Sequence, residues 1–401
     1  MIRLYGIGRE TDAFVASQSI PQVITSIVVS ALNSVWLPKL SANCANLKKW
    51  NFVLSKSLGQ ALFISAGFSL LMLPVLKPLV NITFPGFNEI QEQQAFYFVM
   101  MFIVSMNFTI LSSQLANALR TLNQFYHVEM INFLGSVLVL PIIYFISPYY
   151  GLMAISLILM IQSVFVFIVQ LKYSKWPSIL VRRGLGDKES WQLMKPVFAG
   201  ASIYKFSPLV DRFWLSFAPA GVMTVFNLAQ NLVSAAAQVV EKSVVMSLTT
   251  NFGKLVKDQK FLLLKSKIRD GIIRVTIISI LILVFALIFK VWLIQGFGLF
   301  FKTDNVNSEM IWFFCVLLIG YFHSSPAATI PVSALYAFKD TRTPVKTGIV
   351  GFLISIIFKA ILYQVAGING LVIGVSLYFL MNFLSHLFFL FKRNEFHTIS
   401  N

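Results

Sequence analysis

Four ionisable side chains, Lys205, Asp211, Arg212 and Lys359, fall inside stretches that are otherwise almost wholly apolar. A charge at such depth persists only where it faces protein, water or a ligand. Lys205 is nine residues into its apolar run, so at a rise of about 1.5 Å per residue it lies near a bilayer's midplane, too deep to snorkel out. Asp211 and Arg212 follow nearer the far face, where they can pair with each other or with a neighbouring helix. Lys359 is also deep by count. Buried cations of this kind suit an anionic group such as a phosphate. Arg274 and Lys290 lie near the ends of their runs and are expected to snorkel. His323 and His386 have no metal-ligating partner at useful spacing.

Neutral polar residues add a second signal. Asn227, Gln230, Asn231, Ser234, Gln238, Glu241 and Lys242 recur every three or four residues, which draws one polar stripe along a helix. Gln18, Gln22, Ser26, Ser30 and Asn33 draw another, and Asn107, Gln114 and Asn117 a shorter third. Amides in apolar helices can join neighbours by interhelical hydrogen bonds. Stripes at equivalent positions of a repeat point instead to a hydrated central cavity. Motifs for other chemistry are missing: there is no Walker A sequence, no HExxH and no paired cysteine cluster, and Cys44 and Cys315 read as unpaired thiols. The connections are too short to carry an acid and base pair outside a membrane. No catalytic residue, metal or cofactor is expected, and the chain is not expected to be an enzyme.

The elements that position these residues follow from composition. Of 401 residues 57% are hydrophobic and 12% charged, with 39 Phe and a mean hydropathy of +0.78. Soluble proteins carry about 25% charged residues, so most of this surface must face lipid. Spanning a bilayer takes about 20 apolar residues, and eleven runs qualify: 13–37, 58–82, 95–118, 128–147, 151–171, 197–217, 221–249, 271–296, 310–337, 346–365 and 369–391. The expected fold is an all-α polytopic membrane protein of about eleven transmembrane helices. Pro21, Pro326 and Pro331 interrupt the first and ninth runs and predict kinked or partly unwound helices.

Charge sets the orientation, because cytoplasmic loops retain Lys and Arg. Counting Lys346 and Lys77, near the ends of their runs, with the adjoining loops, the loops after odd-numbered runs and the C-terminal tail hold 22 of the 32 Lys and Arg, the opposite set holds 4, and the rest lie within runs. This puts the C-terminus in the cytoplasm and accounts for the net charge of +17 with no need of nucleic acid. It also puts Met1 outside, with Arg3 and Arg9 and no signal peptide before them, so one further helix is expected upstream.

The sequence repeats weakly. At an offset of 212, Phe14, Gln18, Gln22 and Ser26 fall on Phe226, Gln230, Ser234 and Gln238; Ala118-Leu119 matches Ala334-Leu335, and Gly151-Leu152 matches Gly370-Leu371. Six spans separate the copies, which gives them the same orientation. Parallel repeats around a central cavity are a transporter architecture. An N-terminal lobe of five helices is expected over 1–177, and a C-terminal lobe of six helices with a short cytoplasmic tail over 178–401.

Tyr5-Gly-Ile-Gly-Arg-Glu-Thr-Asp-Ala-Phe14, Ile20-Pro21 and Ala31-Leu-Asn-Ser-Val-Trp-Leu-Pro38 are similar to the opening of the MurJ/MviN family of lipid II flippases, within the multidrug/oligosaccharidyl-lipid/polysaccharide exporter superfamily. Lys205-Phe-Ser-Pro-Leu-Val-Asp-Arg212 and Asn227-Leu-Ala-Gln-Asn-Leu232 are similar to its seventh and eighth helices. Ala334-Leu-Tyr-Ala-Phe-Lys-Asp-Thr-Arg-Thr-Pro-Val-Lys346 resembles the loop before its eleventh helix. The resemblance runs from the end of the family's first helix to the end of its twelfth; the first helix and the last two are without counterparts. It makes Asp12, Lys339, Asp340, Arg342 and Pro344 family-motif positions. It implies alternating access and a multi-pass protein of the bacterial inner membrane. The partners it implies are membrane lipids, glycan-assembly proteins and a polyprenyl-diphosphate-linked sugar carried to the outer leaflet.

Departures from the pattern are specific. Thr25 and Ser26 stand where the family has arginines, and Gln230-Asn231 where it has an Asp-Arg pair. Lys205, Arg212 and Lys242 are then the candidate substitute cations, and the cargo is a lipid II-like peptidoglycan precursor or a surface polysaccharide (O-antigen) unit. A secondary transporter of a small anionic solute would share the layout, and an inactive scaffold paralogue would share the sequence features. A polysaccharide polymerase or ligase would need a large outer loop, which the short connections do not supply.

Overall fold

The computed structural model describes residues 1–174, 188–249 and 251–393. All secondary structure among them is helical, and eight helices are long and apolar enough to cross a membrane. Leu70, Leu71, Ile82, Leu140, Ile288 and Leu299 are among the many large apolar side chains left exposed, as a lipid-facing surface requires. The chain divides into two compact units, residues 3–220 and Gly221 onward. The expected lobe boundary at 177/178 lies outside the described residues. Residues 188–215 belong by contact with the first unit, because their helices pack on α2.

In the first unit a single turn, α1 (Ile2–Tyr5), precedes α2 (Arg9–Ala42), α3 (Leu47–Thr83), α4 (Glu89–Thr121) and α5 (Phe125–Tyr173); α6 (Lys188–Lys205) and α7 (Ser207–Leu215) follow. The buried face of α2 is rich in small residues, with Ala13, Ala16 and Ala31 fully buried, which lets α4 approach closely. Phe14 sets its ring edge-on against Phe98 and Phe102, centroids 5.4 and 5.6 Å away. The sixth apolar run is broken at Phe206: Lys205 ends α6, and Pro208 occupies the first turn of α7, where its missing N–H costs nothing.

In the second unit α8 (Val222–Val240) continues through a π-helical segment (Glu241–Val245) into α9 (Met246–Thr249). Then come α10 (Phe252–Lys257), α11 (Phe261–Ile288), α12 (Lys290–Phe301), α13 (Asn305–Leu317), α14 (Ile319–Ala337) and α15 (Arg342–Phe391). Its core gathers Leu264, Ile268, Phe322, Ile330, Leu335 and Phe383.

Two of the long helices are hairpins. α5 turns at Gly151 (φ 70°) and α15 at Gly367 (φ 58°), a left-handed conformation that glycine adopts without steric cost. Each therefore holds two of the expected spans. The arms cross at a glycine: a Cβ on Gly135 would lie 2.8 Å from Val166, and one on Gly351 would lie 2.5 Å from Asn382.

These pairs reveal the repeat more fully than the sequence does. Gly135, Gly151 and Val166 lie 216 residues before Gly351, Gly367 and Asn382. Asn88 Oδ1 accepts the Gln91 N–H at 2.9 Å to cap α4, and Asp304 Oδ1 accepts the Asn307 N–H at 2.8 Å to cap α13. At the other end Asn123 and Lys339 take φ near +60°, and the N–H groups of Gln124 and Asp340 close back onto Leu119 and Leu335. Gly151 thus has its structural counterpart at Gly367, three residues before its sequence match at Gly370. The expected breaks at prolines are displaced as well: α2 runs on through Pro21 and α14 through Pro326 and Pro331, while the ninth run is interrupted at Leu318.

Candidate functional site

A cavity of about 720 Å³ opens inside the first unit between α2, α4 and both arms of α5. From α2 it takes Gln18, Gln22 and Ser26, three of the residues on the sequence-predicted face, together with Thr25. From α4 it takes Ser105, Thr109, Ser112, Ser113 and Arg120, and from α5 Asn132, Gln162, Ser163 and Gln170. The α4 and α5 contributions are absent from the sequence reading, although Ser105, Thr109 and Ser112 follow the spacing of one helical face. The single cation among its described lining residues, Arg120, is paired with Glu129 at 2.7 Å and donates to Asn117 Oδ1 at 3.2 Å.

Lys205 reaches the same wall from another helix. Its ammonium donates to the Ser26 carbonyl and to the Ser30 hydroxyl, both on α2, and it is half-buried. Asp211 and Arg212 are placed differently. Both are buried, and the carboxylates of Asp211 and of Asp12 on α2 act on the Arg212 guanidinium. The family-motif residue Asp12 and the expected cavity residues Asp211 and Arg212 therefore form one ion cluster between α2 and α7.

The third polar stripe joins helices. Asn33 Oδ1 accepts from Gln114 at 3.0 Å and from Asn117 at 2.8 Å, Gln114 accepts from Ser57, and Asn107 donates to Ser69. These amides fasten α2, α3 and α4 together and do not line the cavity.

In the second unit the polar stripe lies on α8 and the π segment. Asn231, Gln238 and Lys242 are exposed, whereas Asn227, Gln230 and Glu241 are half-buried. Glu241 accepts from Thr329 of α14 at 3.0 Å, and Gln238 donates to Ser234 at 3.4 Å. Lys359 is fully buried inside the α15 hairpin, its ammonium 5.3 Å from the Tyr378 ring centroid and its stem against Gly374.

The family described as lipid II flippase MurJ matches residues 1–400, essentially the whole chain. The chain belongs to the MurJ family. Comparison with curated proteins gives no match. Among solved structures, an inward closed conformation of the lipid II flippase MurJ superposes with a TM-score of 0.79 at 16% identity, covering 99% of this chain and 85% of that one. An inward-facing multidrug resistance MATE family transporter of the MOP superfamily gives 0.75 at 14% identity, covering 100% and 94%. A MOP superfamily transporter from Pyrococcus furiosus gives 0.64 at 13%, covering 97% and 89%. At these identities the likeness establishes the MurJ/MATE transporter fold.

In this MurJ family member the motif loop before α15 is a structural clamp. Asp340 accepts from the Thr343 N–H at 3.0 Å and from the Thr343 hydroxyl at 2.7 Å, and Arg393 closes on it at 3.5 Å. Partial burial pushes the Asp340 carboxyl up, but the two Thr343 hydrogen bonds and the Arg393 charge outweigh it and hold the group below the usual carboxylate range. Pro344 is buried at the start of α15, while Lys339 and Arg342 are exposed.

Proposed function

We propose that this chain is a flippase that moves a polyprenyl-diphosphate-linked saccharide from the inner to the outer leaflet of the bacterial inner membrane by alternating access. Membership of the MurJ family over residues 1–400 carries this reading. The chemistry of the first unit supports it: a polar cavity inside an apolar helical body, with the Lys205 ammonium held against one of its walls. A diphosphate in a low-dielectric region needs a cation fixed in advance, and charge-assisted hydrogen bonds are strong there. Lys205 fills that role. Asn227, Gln230, Asn231, Gln238, Glu241 and Lys242 make α8 the hydrated face of the second unit. Asp12, Asp211 and Arg212 keep α7 docked on α2. The flippase is an exporter and performs no covalent step.

The 22 to 4 charge division places the C-terminus in the cytoplasm. A single cysteine at Lys260 in a cysteine-free variant should then resist impermeant thiol reagents in intact cells, and one at Asn305 should react. Function is tested by outer-leaflet exposure of labelled lipid-linked glycan in proteoliposomes. The purified chain should expose it, and protein-free rates would overturn the proposal.

A further inference from the structure

We infer that the polar cavity of the first unit is a saccharide subsite, which selects the sugar of a lipid-linked glycan and leaves the diphosphate to be held elsewhere. The inference rests on the flippase reading and deepens it.

Charge is the first argument. The one cation among the described lining residues, Arg120, is already paired with Glu129, and Lys205 bonds to α2 at Ser26 and Ser30 without being one of the lining residues, so the lining itself offers a diphosphate no uncompensated positive charge. What it offers in quantity is neutral hydroxyl and amide groups. Serine and threonine hydroxyls both donate and accept, and amides present one acceptor and two donors. That is the complement of a polyhydroxyl ligand.

Unspent hydrogen-bonding capacity is the second. Ser112 and Gln170 line the cavity and are 7% and 1% exposed, yet Ser112 Oγ and Gln170 Oε1 have no hydrogen-bond partner among the described residues. Leaving buried polar atoms unmatched costs about 1–3 kcal/mol each, a cost that a hydroxylated ligand removes. Gln170 is not free to turn away, since its Nε2 donates to Asn132 Oδ1 at 3.3 Å. The acceptor is therefore held in place by a second cavity residue.

The third is shape. The volume of about 720 Å³ falls in the range of small-ligand pockets, roughly 300–1,000 Å³, and Phe102, Met106 and Leu159 give it apolar patches against which the C–H faces of a sugar ring can rest. The second unit puts two aromatic rings at the corresponding positions. Tyr321 and Phe379, 216 residues after Ser105 and Ser163, stack edge to face at 4.5 Å.

The test is equilibrium binding to the full chain in nanodiscs, with three labelled probes. These are a polyprenyl-diphosphate-linked disaccharide, the same polyprenyl diphosphate without sugar, and the soluble disaccharide. The double variant Asn132→Leu/Gln170→Leu should weaken the glycosylated lipid about tenfold, the worth of one or two neutral hydrogen bonds, and leave the bare diphosphate within about twofold. Ser112→Ala, which removes one hydroxyl and little volume, should weaken only the sugar-bearing probes. Ser105→Tyr/Ser163→Phe, which copies the second unit's aromatic pair, should do the same. Equal losses for the glycosylated and bare lipids overturn the subsite, as does unchanged binding of the glycosylated lipid by variants that retain wild-type melting temperature. Wild-type binding of the soluble disaccharide but of neither lipid would end the flippase reading and keep the subsite; binding of none of the three ends both.

Discussion

The two units begin and end their helices by the same devices and fill the space between them in opposite ways. Asn88 and Asp304 cap equivalent helices, Asn123 and Lys339 close them with the same left-handed turn, and Phe14 on Phe98 is answered by Phe226 on Phe314. Yet Ser105, Ser163 and Gln170 of the first unit become Tyr321, Phe379 and His386 in the second. Caps, turns and glycine crossings fix the backbone; a handful of inward positions decides whether the interior is wet or packed. A repeat fold can therefore assign substrate handling to one half without altering the scaffold of the other.

The sharpest way to break this comparison is through the two deep lysines. Lys205→Met removes an ammonium that bonds to Ser26 on the cavity wall, and should cut outer-leaflet exposure of glycan more than about tenfold. Lys359→Met removes one enclosed within the α15 hairpin and should leave transport near wild type with no loss of melting temperature, since a buried charge is often neutral or costly to stability. Equal transport defects in both variants would dissolve the distinction between the units.

Next in size is the ion cluster, whose α2 carboxylate is not repeated in the second unit: at the 212 offset Asp12 maps to Thr224. Asp12→Asn leaves the buried Arg212 with one carboxylate fewer and should lower stability by about 3–5 kcal/mol, read as loss of melting temperature in detergent. Adding Arg212→Met should recover part of it. Full stability of Asp12→Asn would show that the cluster does not hold α7.

The glycine crossings separate the units more gently. Gly135→Ala presses a methyl on the β-branched Val166, which has few rotamers to yield into, and should cost about 1–3 kcal/mol, with rescue by Val166→Ala. Gly351→Ala meets the end of the Asn382 amide, which can swing aside, so its cost should be smaller. The reverse order would show that the second hairpin is the tighter.

Legibility in the sequence followed locality. All eleven apolar runs coincide with helices or hairpin arms, because lipid burial writes itself directly into composition. Lys205 stood out because a charge in an apolar run is rare. The α4 and α5 walls of the cavity did not, since Ser105, Thr109, Ser112 and Ser163 are small and pass as ordinary members of an apolar helix. The Asp12 to Arg212 association joins residues two hundred positions apart, and no spacing rule encodes it. Amides deceived in both directions: Gln18 and Gln22 reach the cavity while Asn33 and Gln114, on equally polar stripes, bond to neighbouring helices.

The smallest effect concerns acid. Asp340 sits below the usual carboxylate range in the folded chain, so its contribution is complete above an ordinary aspartate pKa of about 3.9 and is lost as pH falls through its own lower value. Its counterpart in the first unit, Gln124, does not titrate. Hydrogen exchange should therefore quicken around 338–343 in strong acid before it does around 119–125, and Asp340→Asn should reproduce the difference at neutral pH at a cost of about 0.5–1.5 kcal/mol. Matched exchange in both loops would mean that the clamp adds nothing.

The glycine turns of α5 and α15 leave almost no chain between their two arms. A protease needs several residues of extended chain to cleave, and an antibody needs an exposed segment to grip; Gly151 and Gly367 provide neither. Each pair of arms also has to enter the membrane together during synthesis, since the first arm cannot wait for a loop that does not exist. Tags, epitopes and fusion partners inserted at these two tips should be rejected by quality control.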